Sequence, residues 1–287
     1  MNTNTGVRPS PIAGQWYSAD PKKLASQIDR FMEAVNLPPL AGEVVGIMAP
    51  HAGHVYSGQV AAYGFSTLRD LEPELVVVAS PMHYPYAEPL LVSAHAAYGT
   101  PFGQIPIAHD VLQALDGLLQ EQYSLKLTYV THDPEHSLEI ELPFLQRILK
   151  KEFSLVPIMV RDPSKWVTHA LGEALAAVLQ QRSAILVAST DLSHFYSQDV
   201  ARVLDRAMLQ QVENLDPQGV LDVEDEGKGF ACGRGALAVV MWAAKILGAD
   251  RAKILRHATS GDVTGEYDRV VGYAAAVFLR TQNEKEQ

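Results

Sequence analysis

The sequence predicts an α/β fold, a single domain with a mostly parallel or mixed central sheet flanked by helices. Short, wholly apolar runs typical of buried strands alternate with longer segments of helical periodicity, as in sheets covered on both faces. Three of these runs, within residues 42–58, 74–85 and 183–197, end close to a histidine. No Pro- or Ser-rich linker divides the chain, so we expect one domain over residues 1–287.

The other elements are predicted from local signals. Residues 1–17 are expected to lie extended over the surface, and Asp20 and Pro21 suit the cap and first residue of an amphipathic helix. After the first two strands that end at a histidine, we expect a hairpin or two short strands within 89–107, a helix over 109–120 and a strand over 125–130. A helix from near Glu135 or Ser137 with a kink at Pro143, a strand over 154–160 and a helix over 164–181 should follow. After the third we expect a helix over about 198–212, an acidic loop over 220–228, an apolar helix to Leu247, two final strands and a frayed end over 281–287.

Composition excludes several classes of function. The chain is 47% hydrophobic and carries a net charge of −10, which argues against nucleic-acid binding because that needs a basic face. Its N-terminal segment lacks the apolar core of a secretory signal, and the longest apolar run, 236–244, is too short to span a bilayer. A single cysteine excludes an internal disulfide. We therefore expect a cytoplasmic protein that binds no membrane.

The main functional signal is a histidine at the end of each of three predicted strands. His51 and His83 follow the first two strands, and His194 follows the third. Sites of open α/β sheets lie beyond the carboxyl ends of the strands. We therefore predict that these three side chains share one crevice, although they are far apart in the sequence.

Cys232, at the start of an apolar helix, has two interpretations. It is either a buried small hydrophobe, the common role of a free cysteine, or a thiolate favoured by the helix N-terminus and a metal. Two imidazoles and a thiolate would form a three-ligand site with open positions. Such a site suits Zn, Fe(II) or Cu, whereas Mg and Ca prefer oxygen ligands.

Other polar side chains near these strand ends also have alternative interpretations. Asp191 has two interpretations. In the first it caps its turn. In the second it fixes the tautomer of His194 or supports the metal, and His194 acts as a general base or acid. Tyr56 either packs in the core or points its phenol into the crevice. His136 either begins a helix or completes the polar lining of the pocket.

Eight motifs run in order across nearly the whole chain. They are AGQWYSAD (13–20), APHAGHVYSG (49–58), SPMHYP (80–85), GTPFG (99–103), EHSLEIELPFL (135–145), STDLSHF (189–195), ACG (231–233) and TSGDVTG (259–265). In these motifs the sequence resembles the Memo family, which in prokaryotes is component B of the AmmeMemoRadiSam system.

The resemblance implies the fold of the B subunit of extradiol, non-haem iron dioxygenases. It implies metal-site roles for His51, His83 and Cys232, with Asp191 and His194 lining the site and Fe(II) as the first choice of metal, ahead of Cu or Zn. The chain departs from the family where His54 replaces a tyrosine and Tyr84 a histidine. Dioxygenases of that fold carry a glutamate where this family has its cysteine.

Three functional hypotheses follow from the residues and the resemblance together. The first is a redox enzyme with a dioxygenase-like iron or copper site and an unknown substrate. The second is a zinc-dependent hydrolase, in which the metal activates water with help from His194. The third is a non-catalytic adaptor that holds a metal or a peptide. The partner is an unknown small molecule or peptide, and the resemblance implies a functional link to AMMECR1-like and radical SAM proteins.

Overall fold

The computed structural model describes residues 6–281. The strands in this range are β1 (Val7–Arg8), β2 (Glu43–Ala49), β3 (Leu75–Pro81), β4 (Leu90–Ser93), β5 (Ala97–Thr100), β6 (Gly103–Pro106), β7 (Thr128–Val130), β8 (Ser154–Val160), β9 (Ala184–Ser189), β10 (His194–Tyr196), β11 (Arg251–Thr259) and β12 (Val270–Arg280). The helices are α1 (Pro21–Glu33), α2 (His54–Ser66), α3 (His109–Tyr123), α4 (Leu142–Ile148), α5 (Lys165–Leu179), α6 (Gln198–Glu213), α7 (Pro217–Asp225), α8 (Arg234–Ile246) and α9 (Gly261–Thr264). All of the expected frayed end except Thr281, and both ends of the expected single domain, lie outside the described residues.

The predicted α/β fold with a mixed central sheet is confirmed. Within the described residues, nine strands form this sheet in the order β10-β12-β2-β9-β3-β8-β4-β7, with β11 also paired to β12. The three histidine strands, β2, β9 and β3, are adjacent and parallel. Because β12 runs antiparallel to β2, its first residues reach the edge of the sheet at which the three histidine strands end.

Helices flank this sheet in two groups. One group contains α8, which packs against β3 and β9 and is covered by α5 and α7. The other contains α2, which packs against β2 and β12 and is covered by α1 and α4. The start of α1 follows the sequence signal, since Asp20 accepts hydrogen bonds from the N–H groups of Lys22 and Lys23 and Pro21 lies in the first turn. Every residue of β3 is buried, as expected for a strand covered on both faces.

The expectation that residues 1–17 lie over the surface is met only in part among the residues that the structure describes, because most of them are at least partly exposed but three are buried. Residues of β1 pair with β5 in a small sheet completed by β6. The side chain of Arg8 is only 1% exposed, and Ile12 and Tyr17 are also buried. The polar N-terminal sequence did not reveal this burial because the partners of Arg8 are carboxylates more than 120 positions away.

Two predicted elements differ from the structure. The acidic region predicted as a loop over 220–228 begins in helix α7, because Asp216 caps a helix that starts at Pro217. The helix predicted from near Glu135 or Ser137 starts only at Leu142, after a 3₁₀ turn over Glu139–Glu141. Pro143 lies in its first turn, where proline is well accommodated, and therefore marks the start of the helix instead of a kink.

In the part of the chain that the structure describes, every helix is too short or too polar to cross a bilayer.

Candidate metal site

A cavity of about 560 Å³ opens at the carboxyl ends of the three histidine strands. Its lining includes six residues predicted for the site, and aromatic and polar side chains complete it. The residues are Gln15, Trp16, His51, Ala52, Gly53, Tyr56, His83, His136, Asp191, His194, Phe195, Ser260, Thr264, Glu266, Arg269, Val271 and Tyr273. The crevice predicted for His51, His83 and His194 is therefore present, because β2, β9 and β3 are parallel neighbours.

His51 is held in one tautomer by its surroundings. Its Nδ1 lies 2.9 Å from the hydroxyl of Ser189, and that hydroxyl donates its only proton to the carbonyl of Ser137 at 2.6 Å. The hydroxyl oxygen therefore accepts from Nδ1–H, which leaves the electron pair of Nε2 available. Burial, together with the nearby His136 and His83, lowers the pKa of His51 well below its usual range, so the ring is neutral at pH 7.

Glu135 organises the second part of the site. Its buried carboxylate accepts the main-chain N–H of His83 at 2.6 Å and the Nδ1–H of the same residue at 2.9 Å. It also accepts the N–H groups of His136 and Ser137, both at 2.9 Å, and lies 3.2 Å from Nδ1 of His136. Burial favours a raised pKa for Glu135, but the hydrogen bonds from His83 and the neighbouring imidazoles of His83 and His136 outweigh burial and lower that pKa. The carboxylate is thus ionised and directs Nε2 of His83 away from itself.

One ring nitrogen each from His51, His83 and His136 lies within 4.8 Å of the others, so these residues could hold a metal ion. Burial lowers the pKa of His136 to about 4, and this ring is also in the neutral form that binds metals. Nδ1 of each ring faces Ser189 or Glu135, as the outer nitrogen of a metal-binding histidine typically faces a supporting group. The donor chemistry therefore fits a transition metal.

Cys232 lies against His51, immediately before helix α8. Its Sγ is 3.1 Å from Nε2 of His51 and accepts the N–H of Asp191 at 3.3 Å. Burial and then the negative charge of Asp191 raise the pKa of the thiol. Without a bound cation the thiol therefore keeps its proton, for which Nε2 of His51 at 3.1 Å and the carbonyl of Asp191 at 3.5 Å are the acceptors, and a cation would have to displace that proton.

Asp191 and His194 both line the cavity, but each is hydrogen-bonded to the main chain and not to the other. The Nδ1–H of His194 donates to the carbonyl of Leu192 at 2.7 Å, so the main chain, and not Asp191, sets its tautomer. Asp191 instead accepts the main-chain N–H of His51 at 2.8 Å. Burial raises the pKa of Asp191 to about 7, although the N–H groups of His51 and Ala52 favour its ionised form.

Sequence reasoning missed two residues that orient the histidines. The pattern around Glu135 predicts only the start of a helix, and Ser189 falls at the end of a predicted strand. The signal available for Glu135 was its position beside His136 in a polar segment. For Ser189 it was a hydroxyl at the end of a buried strand, two residues before Asp191. Neither signal names a partner, because the imidazoles that these residues bind through Nδ1, His83 and His51, lie 52 and 138 positions away.

Comparisons with known proteins agree with the resemblance in the sequence motifs. A family model for Memo-like proteins matches residues 8–277. A MEMO1 family protein of Ignicoccus hospitalis is 35% identical over 287 residues, covering 95% of this chain and 98% of that protein. One from Nitrosopumilus maritimus is 31% identical over 278 residues, covering 95% of this chain and 100% of that protein.

A solved structure shares the fold. The crystal structure of an uncharacterized protein from Escherichia coli K12 matches with a TM-score of 0.53 at 16% identity, covering 82% of this chain and 100% of that chain. At this identity the likeness concerns the fold alone. The family model and the near full-length relatives carry the assignment: this chain belongs to the Memo family.

Proposed function

We propose that this Memo-family protein binds a divalent transition metal, Fe(II) in the first place, through His51, His83 and Cys232. We further propose that it uses the metal in dioxygenase-like redox chemistry on a small molecule bound in the cavity. The observation that carries the proposal is the fixed orientation of two imidazoles. Ser189 and Glu135 bind their Nδ1 atoms, so Nε2 of each ring carries the electron pair that can bind a metal.

The planes of the rings favour Cys232 over His136 as the third ligand. A ring nitrogen donates an electron pair that lies in the plane of its imidazole, so an ion bound by two rings must lie near both planes. The planes of His51 and His83 cross at 85°. Those of His83 and His136 are stacked at 19°, with centroids 4.7 Å apart, and would need one ring to turn. The sulfur of Cys232 has no such planar constraint and lies 3.1 Å from Nε2 of His51, but it would have to move closer to His83, because the donor atoms that already lie together are those of His51, His83 and His136.

The residues around the ligands have separate roles in this proposal. A bound Fe(II) would supply open coordination positions and redox capacity. Asp191 holds the main chain of His51 in place. His194, with Nδ1 bound to a carbonyl, keeps Nε2 free to take or deliver a proton from a substrate in the cavity. Burial lowers the pKa of His194, so the ring is neutral and can act as a base at pH 7.

Metal analysis tests the proposal. The protein would be purified without added metal or an affinity tag, reconstituted with Fe(II) under anaerobic conditions and analysed by plasma mass spectrometry. We expect a single iron per chain in the wild type, and loss of iron in His51→Ala, His83→Ala and Cys232→Ser. His136→Ala should keep its iron. His169→Ala is the matched control, because His169 is a surface histidine remote from the cavity.

Several results would contradict the proposal. If folded Cys232→Ser keeps iron while His136→Ala loses it, the third ligand is His136. If the wild type retains no iron after reconstitution but binds Zn(II) tightly, the hydrolase hypothesis replaces the redox one. If it binds neither, the pocket is not a metal site.

Nitric oxide added to the Fe(II) protein should produce the electron-paramagnetic-resonance signal of an open iron position.

The location and the wider partnership remain predictions. We propose that the protein acts in the cytoplasm and works with AMMECR1-like and radical SAM proteins, as its family resemblance implies. Affinity purification of both proteins from a native host tests the partnership. Failure of either to co-purify, with the chain present at its natural level, would contradict it.

A further inference from the structure

Arg8 is the most completely enclosed cation in the described part of the chain. Its guanidinium donates to Asp133 Oδ2, Glu139 Oε2 and the main-chain carbonyl of Glu135, each at 2.6 Å. The side chain is 1% exposed. A buried charge is strongly unfavourable unless it is paired, so three close acceptors around one guanidinium indicate a site built for arginine.

These contacts fix both peptide groups of Glu135. Arg8 Nη2 holds the carbonyl of Glu135, and Asp133 Oδ1 accepts its N–H at 3.0 Å. Asp133 is itself held by Arg8 and by the hydroxyl of Tyr98, which donates to Oδ2 at 2.8 Å. Because the carboxylate of Glu135 binds the ring and the main chain of His83, a displaced Glu135 backbone would turn that ring.

The position of Arg8 comes from pairing of the N-terminal strand. Arg8 in β1 lies opposite Tyr98 in β5, and its guanidinium stands 4.7 Å from the centre of the Tyr98 ring. Further along the same segment, Tyr17 donates to Glu139 at 2.7 Å, and the ring of Trp16 lies 4.3 Å from that of His136. The N-terminal segment therefore contacts Glu139 and, through Trp16, the wall of the cavity.

We propose that Arg8 is a positioning residue of the metal site: its guanidinium sets the backbone of Glu135 and, through it, the orientation of His83. This inference rests on the metal-binding function proposed above. The residue acts at a distance and touches neither the cavity nor a proposed ligand.

The geometry requires arginine specifically. The planar guanidinium sends N–H groups in several fixed directions and reaches three acceptors at once. A lysine at position 8 retains the charge but presents a compact ammonium that cannot reproduce this fork. A methionine removes the charge and leaves Asp133 and Glu139 buried without their cation. We therefore expect the effect to increase from Arg8→Lys to Arg8→Met.

Two measurements on the full-length protein test the inference. With Co(II) as the probe, competition against a chelator gives the affinity and the visible spectrum reports the ligand geometry. We expect Arg8→Met to bind Co(II) about 10- to 100-fold more weakly, the range seen when groups that support ligands are changed. Arg8→Lys should lose less, and both spectra should change. In the metal-free protein, nitrogen-15 NMR of the imidazoles should show His83 wholly in the Nδ1–H tautomer for the wild type and mixed in the variants.

Arg147→Met is the matched control. Arg147 makes two 2.7 Å contacts with Asp29 on the surface, so its loss removes a similar ion pair far from the site and should leave Co(II) binding unchanged. Tyr98→Phe removes only the hydroxyl that fixes Asp133. It keeps the charges of Arg8, Asp133 and Glu139, so it still tests the positioning role if Arg8→Met fails to fold.

The inference is overturned if folded Arg8→Lys and Tyr98→Phe keep wild-type Co(II) affinity, spectrum and His83 tautomer. A wild type that binds no Co(II) refutes the metal site. In that case an unchanged His83 tautomer in the variants refutes the positioning role separately, so the two failures are distinguishable.

Discussion

Replacing Glu135 by glutamine should weaken both the fold and the metal site. Oε1 of Glu135 accepts from Nδ1–H of His83, from the N–H groups of His136 and Ser137 and from the Ser137 hydroxyl, whereas Oε2 accepts only the N–H of His83. The amide oxygen of glutamine would therefore take the place of Oε1. Its NH₂ group would then face the N–H of His83, a donor against a donor.

The size of the effect can be worked out from these contacts. The variant loses one charge-assisted hydrogen bond, from the partly buried main-chain N–H of His83, which costs about 1.5–3 kcal/mol of unfolding free energy. The remaining bond to Nδ1 of His83 becomes neutral and weaker. Loss of a group that orients a ligand lowers metal affinity by about 10- to 100-fold. That range corresponds to about 1.4–2.8 kcal/mol of binding free energy.

Two assays separate the two effects. Urea unfolding in the presence of a chelator gives the stability of the metal-free protein, and chelator competition gives metal affinity for the folded variant. Glu173→Gln is the matched control, because Glu173 also faces an imidazole Nδ1, that of His169 at 3.2 Å, but at the surface. It should change neither quantity by a measurable amount. We expect a loss of about 10- to 100-fold in metal affinity. If folded Glu135→Gln instead binds metal within about threefold of the wild type, Glu135 does not orient the ligands.

Three further predictions test single features. Burial lowers the pKa of His54 to about 4, so between pH 6.5 and 4 the unfolded chain takes up a proton that the folded one does not, and stability falls with falling pH by about 1.4 kcal/mol per unit. His54→Gln should reduce that slope in urea unfolding; equal slopes would contradict burial as the cause. His194→Ala should keep its metal while losing any activity, and loss of metal would make His194 a ligand. Gly46→Ala would place a Cβ 2.8 Å from the carbonyl oxygen of Leu186 and should cost about 1–3 kcal/mol in thermal unfolding. Gly117→Ala, in open space on a helix, should be neutral or stabilising, and an equal loss in both would refute the steric explanation.

The sequence by itself predicted the fold class and the place of the site. Wholly apolar runs indicate buried strands because a strand covered on both faces has no polar side to display. The polar side chains that follow those runs, His51, His83 and His194, must then lie at one edge if the strands are parallel. Both conclusions need only the local pattern and a rule about sheets. They can therefore be drawn without knowing which side chains are hydrogen-bonded to one another.

Only the tertiary structure decided how the side chains at that edge are paired. Asp191 and His194 are close in sequence, yet Asp191 binds the main chain of His51 and His194 binds a carbonyl. Glu135 looked like the start of a helix, but its carboxylate accepts the N–H groups that follow it and holds them in an irregular turn. Arg8, in a segment expected at the surface, is enclosed because β1 pairs with β5. A periodic pattern records which residues are buried. It does not record which partner satisfies a buried polar group, because that choice depends on chain segments brought together from more than a hundred positions away.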